Sequence, residues 1–240
     1  MTNIAPTTPP APNGTSSGAT NGDAETKRDL AYQELRRMIV QLELAPGDVL
    51  REDELRDQLD LGRTPIREAL QRLEREHFVT VLPRRGMYVS GIDVSELSML
   101  FETRTVLEPY AARLAALRGT PSDWDDMETA LARTRESNVS KLEHLAIDRT
   151  CHEIMWTASG NRFLLDTLDM LYAQSDRLWH LYLAYVADMH HAVEEHTAIL
   201  EALRAGDGDT SADLVETHVQ SFDEQVRAAV TAHLESPLAR

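Results

Sequence analysis

The apolar period of this chain changes character only once along its 240 residues. Helical stripes run from Asp29 to Leu73, a β-type stretch occupies His77 to Val89, and everything after it returns to the helical period. Leu30, Leu35, Met38, Ile39 and Leu42 share one face of a first helix, which Pro46 and Gly47 stop. Leu50, Leu55 and Leu59 line a short second helix that breaks at Gly62. A third follows, with Thr64 as the expected cap, Pro65 in the first turn, and Ile66, Ala69, Leu70 and Leu73 as its stripe. His77 to Leu82 is rich in β-branched and aromatic residues, PRRG is a turn, and Met87 to Val89 returns as a second strand. Three helices and a hairpin predict a winged helix-turn-helix.

Beyond Gly91 the pattern predicts a long helix opened by Asp93 or Ser95 and closed by Gly119. Pro109 is expected to bend it, or to sit where neighbours satisfy the backbone. Thr120 and Pro121 open the next helix, and further helices are expected over 139–159, 161–186 in one or two pieces, 190–205 and 209–233. The fold expected is mainly α: an amino-terminal winged helix-turn-helix at 26–92, then an antiparallel bundle of six or seven helices over 93–240. Residues 1–25 hold 17 Pro, Gly, Ser, Thr or Asn, too few apolar groups to offset the entropy of ordering, so a disordered tail is expected there. No apolar run approaches the roughly 18 residues of a membrane span, and MTNIAPTTPPAP lacks the basic and apolar regions of a secretory signal. The expected compartment is the cytoplasm. Cys151 is the sole cysteine, which excludes an intramolecular disulfide and a Cys-rich zinc site.

A net charge of −16 argues at first against nucleic acid, whose phosphates are bound by Lys and Arg. The average conceals an asymmetry. Twelve Lys and Arg balance twelve Asp and Glu between residues 27 and 92, whereas 93–240 carries twelve against 26. Two domains with different partners follow from that split. Arg63, Thr64 and Arg67 fall on the outward, amino-terminal side of the third helix, the side that enters a major groove when the apolar stripe packs inward. Arg forks onto the O6 and N7 of guanine, and Arg84, Arg85 and Gly86 at the wing tip suit a phosphate backbone or a minor groove. Arg36, Arg37, Arg51, Arg72 and Arg75 are poorer candidates. A single arginine on an exposed helix is ordinarily a solvated charge; the paired Arg of the helix start, the preceding helix and the Arg-Arg-Gly tip in register argue for DNA.

Leu44-x-Pro46-Gly47-x-x-Leu50-x-Glu52, Leu55, the run RTPIREAL and the wing PRRGMYV resemble the amino-terminal domain of GntR-type bacterial transcription regulators. The resemblance covers about 65 residues and includes both spacing and identity. Gly62 stands where that family commonly has Ser or Thr, His77 where it commonly has Gly, and Asp53 where some relatives place a basic DNA contact.

Eight of the nine histidines lie in the expected bundle. Asp148 and His152 are four apart on one helix face, His196 lies in EEHTAILEAL and His218 in VETHVQSFDE. One Asp and three His from three helices would make a nitrogen and oxygen site for zinc, nickel, manganese or another divalent ion. Periodicity leaves the choice open, since His144, His190 and His191 lie nearby. Residues 94–235 resemble the FCD ligand-binding domain of the FadR-type branch of GntR regulators. The metal-binding members of that branch show Asp-x-x-x-His, a His before a Gly-Asp turn, and a His in the last helix. That resemblance implies Asp148, His152, His196 and His218 as ligands, with Ala205-Gly206-Asp207 as the turn, and Arg104 and Asn161 as effector-binding residues. Cys151 stands where the pattern often has an aromatic residue. An Arg104 ion pair with Glu108 at i+4 is the ordinary alternative for that residue. A metal floor would attract a small carboxylate effector.

Three functions compete on this sequence. The first is a repressor acting as a homodimer on a palindromic operator and answering to a small acid or a metal. The second is a metal-dependent hydrolase. Against it, HExxH, a Ser-centred elbow and a Gly-rich phosphate loop are missing, and Glu153 should point away from the His152 face. The third is a structural metal in a protein-interaction module.

Overall fold

A computed structural model describes residues 21–92, 96–136, 138–182 and 190–235. The first unit is built from α1 (Asn21–Val40), β1 (Val49–Leu50), α2 (Glu52–Leu59), α3 (Arg63–Arg75), β2 (Val79–Leu82) and β3 (Gly86–Val89). It is a winged helix-turn-helix. The three strands are antiparallel in the order β1-β3-β2, with Tyr88 facing Val49 on one side and Thr80 on the other. Most of the predicted stripes meet in one core, where Leu35, Ile39, Ile66, Leu70, Leu73 and Phe78 are fully buried; of the first stripe, Leu30 is 45% exposed and Leu42 lies beyond the end of α1 at φ +61°.

Several local expectations are corrected. Helix α1 begins at Asn21, inside the range expected to be tail, where Ala24 and Glu25 are good helix formers; residues 1–20 lie outside the described residues. Thr64 does not cap α3. Gly62 holds the cap position in extended backbone with no side-chain bond, and Arg63, Thr64 and Pro65 form the first turn. Pro65 is tolerated there because a first-turn N–H has no partner inside the helix. Strand β1 was not expected, since two residues carry no period. After α3 the chain turns back through His77 at φ +65°, a left-handed conformation that Gly adopts without penalty. The Phe78 amide then donates to the Leu73 carbonyl at 2.9 Å, sealing the helix end.

The second unit contains α4 (Leu97–Arg118), α5 (Pro121–Ala132), a short 3-10 turn (Arg133–Arg135), α6 (Lys141–Ala158), α7 (Arg162–Tyr182), α8 (His190–Arg204) and α9 (Gly208–Glu235). These six helices fall within the expected number. Helix α4 runs unbroken through Pro109 and packs along α9. Thr120 and Asp123 form a capping box at the start of α5, and a Cβ on Gly119 would lie 2.2 Å from the Trp124 ring, so the turn between α4 and α5 closes only over glycine. Trp156, Trp179, Leu168, Val215 and Val219 fill the bundle core. The expected extension of α7 to residue 186 lies partly outside the described residues.

Helix α7 also joins the two units. Ala173 is fully buried in the winged-helix core rather than the bundle core. Around it, Gln174 Nε2 donates to the Glu76 carbonyl at 2.8 Å, Arg177 Nη2 to the Ser90 carbonyl at 2.8 Å, and Arg36 pairs with Asp169 at 2.8 Å.

Candidate functional site

The residues expected to face nucleic acid lie at the start of α3 and in the turn between β2 and β3. Arg63, Thr64 and Arg67 are exposed there, as are Arg84, Arg85 and Gly86. Gly86 sits at φ +104° and Arg84 at +65°, which folds the tip tightly, and the Tyr88 hydroxyl donates to the Arg85 carbonyl at 3.0 Å. The two groups differ in their acidic partners. Arg84 and Arg85 stand without an acidic partner among the described residues, whereas Arg63 reaches Asp53 at 2.9 Å and Arg67 forks onto Glu52 at 3.0 and 3.1 Å. The guanidiniums of Arg63 and Arg67 are therefore braced by carboxylates at the start of α2. The sequence reading missed this brace.

The second cluster is buried. A capping box of Ser140 and Glu143 fixes the start of α6, and from that helix Asp148 and His152 project into the bundle one turn apart. His196 enters from α8 and His218 from α9, each at most 3% exposed. One donor atom from each of Asp148, His152, His196 and His218 lies within 4.8 Å of every other. The Nε2 atoms of His152 and His218 face each other at 3.2 Å.

What orients these rings lies behind them. His152 Nδ1 sits 2.8 Å from Glu108 Oε2, His218 Nδ1 2.7 Å from Glu195 Oε2, and His196 Nδ1 2.8 Å from the Ala192 carbonyl. The contacts at His218 Nδ1 and His196 Nδ1 favour the proton there and an inward Nε2 lone pair on those two rings, whereas His152 Nδ1 and Glu108 Oε2 approach without hydrogen-bond alignment. The buried His196 Nε2 and Asp148 Oδ1 have no hydrogen-bond partner. This donor set fits a divalent cation. An ion about 2.1 Å from two imidazole nitrogens separates them by about 3.0–3.4 Å. Asp148 is held in place by the Tyr172 hydroxyl, which donates to Oδ2 at 2.5 Å.

The electrostatics agree. Burial alone would raise the Asp148 carboxyl, but the surrounding imidazoles hold it below its ordinary value. Burial and the neighbouring His218 push His196 down to about 3, so its ring stays neutral and able to ligate. Burial also opposes charge on His218, yet the Glu195 hydrogen bond outweighs it and moves that ring upward. Glu108, buried beside Arg104 and His152, is drawn down to about 2 against the effect of its burial.

The expected effector residues are placed differently. Arg104 Nε donates to Glu108 at 2.6 Å and Nη1 to Ser175 at 3.0 Å, so the i+4 ion pair is formed and completes a buried chain from Ser175 to His152. Asn161 is not in the cluster: its Oδ1 accepts the Phe163 amide at 3.1 Å and caps α7. The space beside Asp148, His144 and His196 measures about 10 Å³, the room of roughly one water. Cys151 is buried and unpaired in a disulfide, its thiol pushed up by desolvation, and Glu153 turns outward to Arg149 at 2.7 Å. The contacts of Glu108 with His152, Glu195 with His218 and Tyr172 with Asp148 were not found from sequence, because each crosses between helices.

Comparison with known proteins gives a consistent picture. Residues 27–89 match the family described as bacterial regulatory proteins, gntR family, and residues 99–221 match the FCD domain. The HTH-type transcriptional repressor RspR of Escherichia coli K12 is 29% identical over 198 residues, covering 82% of this chain and 87% of the relative. The Nta operon transcriptional regulator of Aminobacter aminovorans is 32% identical over 199 residues, covering 81% and 93%. Among solved structures, Escherichia coli McbR/YncC shares the fold with a TM-score of 0.75 at 20% identity, covering 86% of this chain and 98% of that one. No described helix is long and apolar enough to cross a membrane.

Proposed function

Because the chain belongs to the gntR family of bacterial regulatory proteins and carries an FCD domain, and is thus a DNA-binding transcription regulator rather than an enzyme, we propose that it is a repressor whose grip on its operator is set by a divalent metal and a small acid. One observation carries the metal: a ring nitrogen from each of three buried imidazoles and an oxygen of the buried Asp148 carboxylate lie within 4.8 Å of one another, and His196 Nε2 and Asp148 Oδ1 have no hydrogen-bond partner. Asp148, His152, His196 and His218 would hold the ion, zinc being the best match to a set of three nitrogens and one oxygen, with nickel and manganese as alternatives. When bound, it supplies positive charge and Lewis acidity at a point otherwise crowded with lone pairs.

The protein would act as a homodimer on a palindromic operator, reading major-groove bases with Arg63, Thr64 and Arg67 and flanking backbone with Arg84, Arg85 and Gly86. An unpartnered stripe on α4 supports the dimer. Met99, Val106, Tyr110 and Leu117 recur at spacings of seven, four and seven, and all are 50–71% exposed. The route from sensor to reader is short. Arg149, between Asp148 and His152 on α6, pairs with Asp169 of α7 at 2.7 Å, and Asp169 pairs with Arg36 of α1.

Elemental analysis of the purified protein beside His196→Ala and His218→Ala tests the ligand set, with operator titrations before and after chelation. Stoichiometric metal in the wild type, its loss in both variants and a shift in operator affinity on chelation are expected. Equal metal in all three would refute the set, and indifference of operator binding to chelation would refute metal control.

A further inference from the structure

A cavity of about 840 Å³ lies between the hairpin and the bundle, apart from the metal-ligand cluster. Thr80 and Ser90 wall it on the winged-helix side, and Leu97, Leu100 and Leu171 on the bundle side, with Arg177 between them. Its size is that of small-molecule sites, and its walls combine apolar surface with a few convergent polar groups.

Arg177 is the unusual member. The other buried arginine among the described residues, Arg104, has Glu108 as a partner, and the half-buried Arg36 has Asp169. Arg177 is 1% exposed and has no carboxylate within ion-pair distance among the described residues. Its Nη2 donates to the Ser90 carbonyl, its Nη1 makes a long 3.4 Å contact with Gln174 Oε1, and its Nε is buried without a partner. The Phe78 ring lies 5.7 Å away, which softens the burial but supplies no counter-charge. Desolvation accordingly pulls its pKa down to about 10. A buried cation lacking a partner is costly to keep, and a cavity at its side is where a counter-ion would fit. Glu96, on the exposed rim, disfavours a second negative charge in the occupant.

We propose that this cleft binds a small monocarboxylate with an apolar body, its carboxylate facing the Arg177 guanidinium and its body lying against Leu97, Leu100 and Leu171. The occupant touches the β2–β3 hairpin and both α4 and α7, so it sets how the DNA-reading unit sits on the bundle. That regulatory consequence rests on the function proposed above; the binding does not.

The test uses the full chain and calorimetric titration with benzoate, phenylacetate and hexanoate, each beside its neutral amide. At least one acid should bind wild type, at least tenfold more tightly than its amide. Arg177→Met removes the cation. Gly91→Trp places a bulky ring at the cavity lining, from a position where an added Cβ meets nothing within 4 Å, and an unchanged Tm checks that the fold is kept. Each should weaken the acid tenfold or more, while His196→Ala leaves it unchanged. The proposal is overturned if no acid binds wild type, if Gly91→Trp binds as tightly as wild type, or if His196→Ala abolishes binding, which would put the acid at the metal cluster. Binding that passes these controls without altering operator affinity would keep the site and overturn its regulatory role.

Discussion

Glu195→Gln isolates the part of the metal centre that orients rather than ligates. Glu195 Oε2 lies 2.7 Å from His218 Nδ1, and its side chain is 14% exposed, so solvent screens the pair only in part. The carboxylate accepts only, which fixes the proton on Nδ1 and the lone pair on Nε2; an amide turned to donate would favour the opposite tautomer and place a hydrogen where the ion belongs. Removing such a partner weakens metal binding by about 10- to 100-fold, or about 1.4–2.8 kcal/mol. Stability of the metal-free chain should change little. Glu108→Gln offers the contrast: it strips the counter-charge from Arg104, itself 1% exposed, and should cost about 3–5 kcal/mol. For a chain of this size that lowers Tm by roughly 6–20 °C. Zinc competition against a chromophoric chelator gives the affinity, and melting in EDTA gives the stability. If Glu195→Gln binds zinc as tightly as wild type, or loses affinity only in step with Tm, the orienting argument fails.

Four further outcomes are expected. Arg67→Ala should weaken operator binding at least tenfold by fluorescence anisotropy and lower the salt dependence by about one phosphate contact, with Tm unchanged, since the Arg67–Glu52 fork is exposed. Asp53→Asn removes a negative charge beside Arg63 and should tighten DNA binding a few-fold at low salt, a gain that vanishes near about 0.3 M salt; an unaltered affinity would mean that Asp53 lies away from the phosphates. Asp169→Asn should leave zinc affinity within about twofold but diminish the metal-dependent change in operator affinity, normally about 5- to 150-fold in coupled systems, because it breaks both the Arg149 and Arg36 pairs. Val106→Asp, at 71% exposure, should leave helicity intact and shift the protein from dimer to monomer in light scattering; a persistent dimer would move the interface elsewhere.

The sequence carried its periodic content well. The stripes of α3 and the hairpin reach the core as read, because a stripe is local information that packing only has to honour. Asp148 and His152 were legible as a pair for the same reason, and so was Arg104 with Glu108. What stayed hidden depends on contacts between distant segments. Glu195 and His196 are neighbours in the chain but point about 100° apart, and only the approach of α9 gives Glu195 its role with His218. Tyr172 comes 24 residues after the carboxylate it holds. The misplaced cap at Thr64 arose because a hydroxyl before Pro normally marks a helix start, whereas here Gly62 holds the cap position, two residues before Thr64. Asn161, which the resemblance implied as an effector residue, also caps α7, a local role that its place after the Ser159-Gly160 break allows.

Ala173 belongs to the sensor by chain order and to the DNA reader by packing. The heritable module is therefore not a stretch of sequence that ends near residue 92. A reader excised there would carry an open hole in its interior, and a hybrid regulator that borrows it must bring a helix with a small side chain at the same point. Exchanging the helical bundle between such proteins would have to preserve that methyl group together with the Gln174, Arg177 and Asp169 contacts around it.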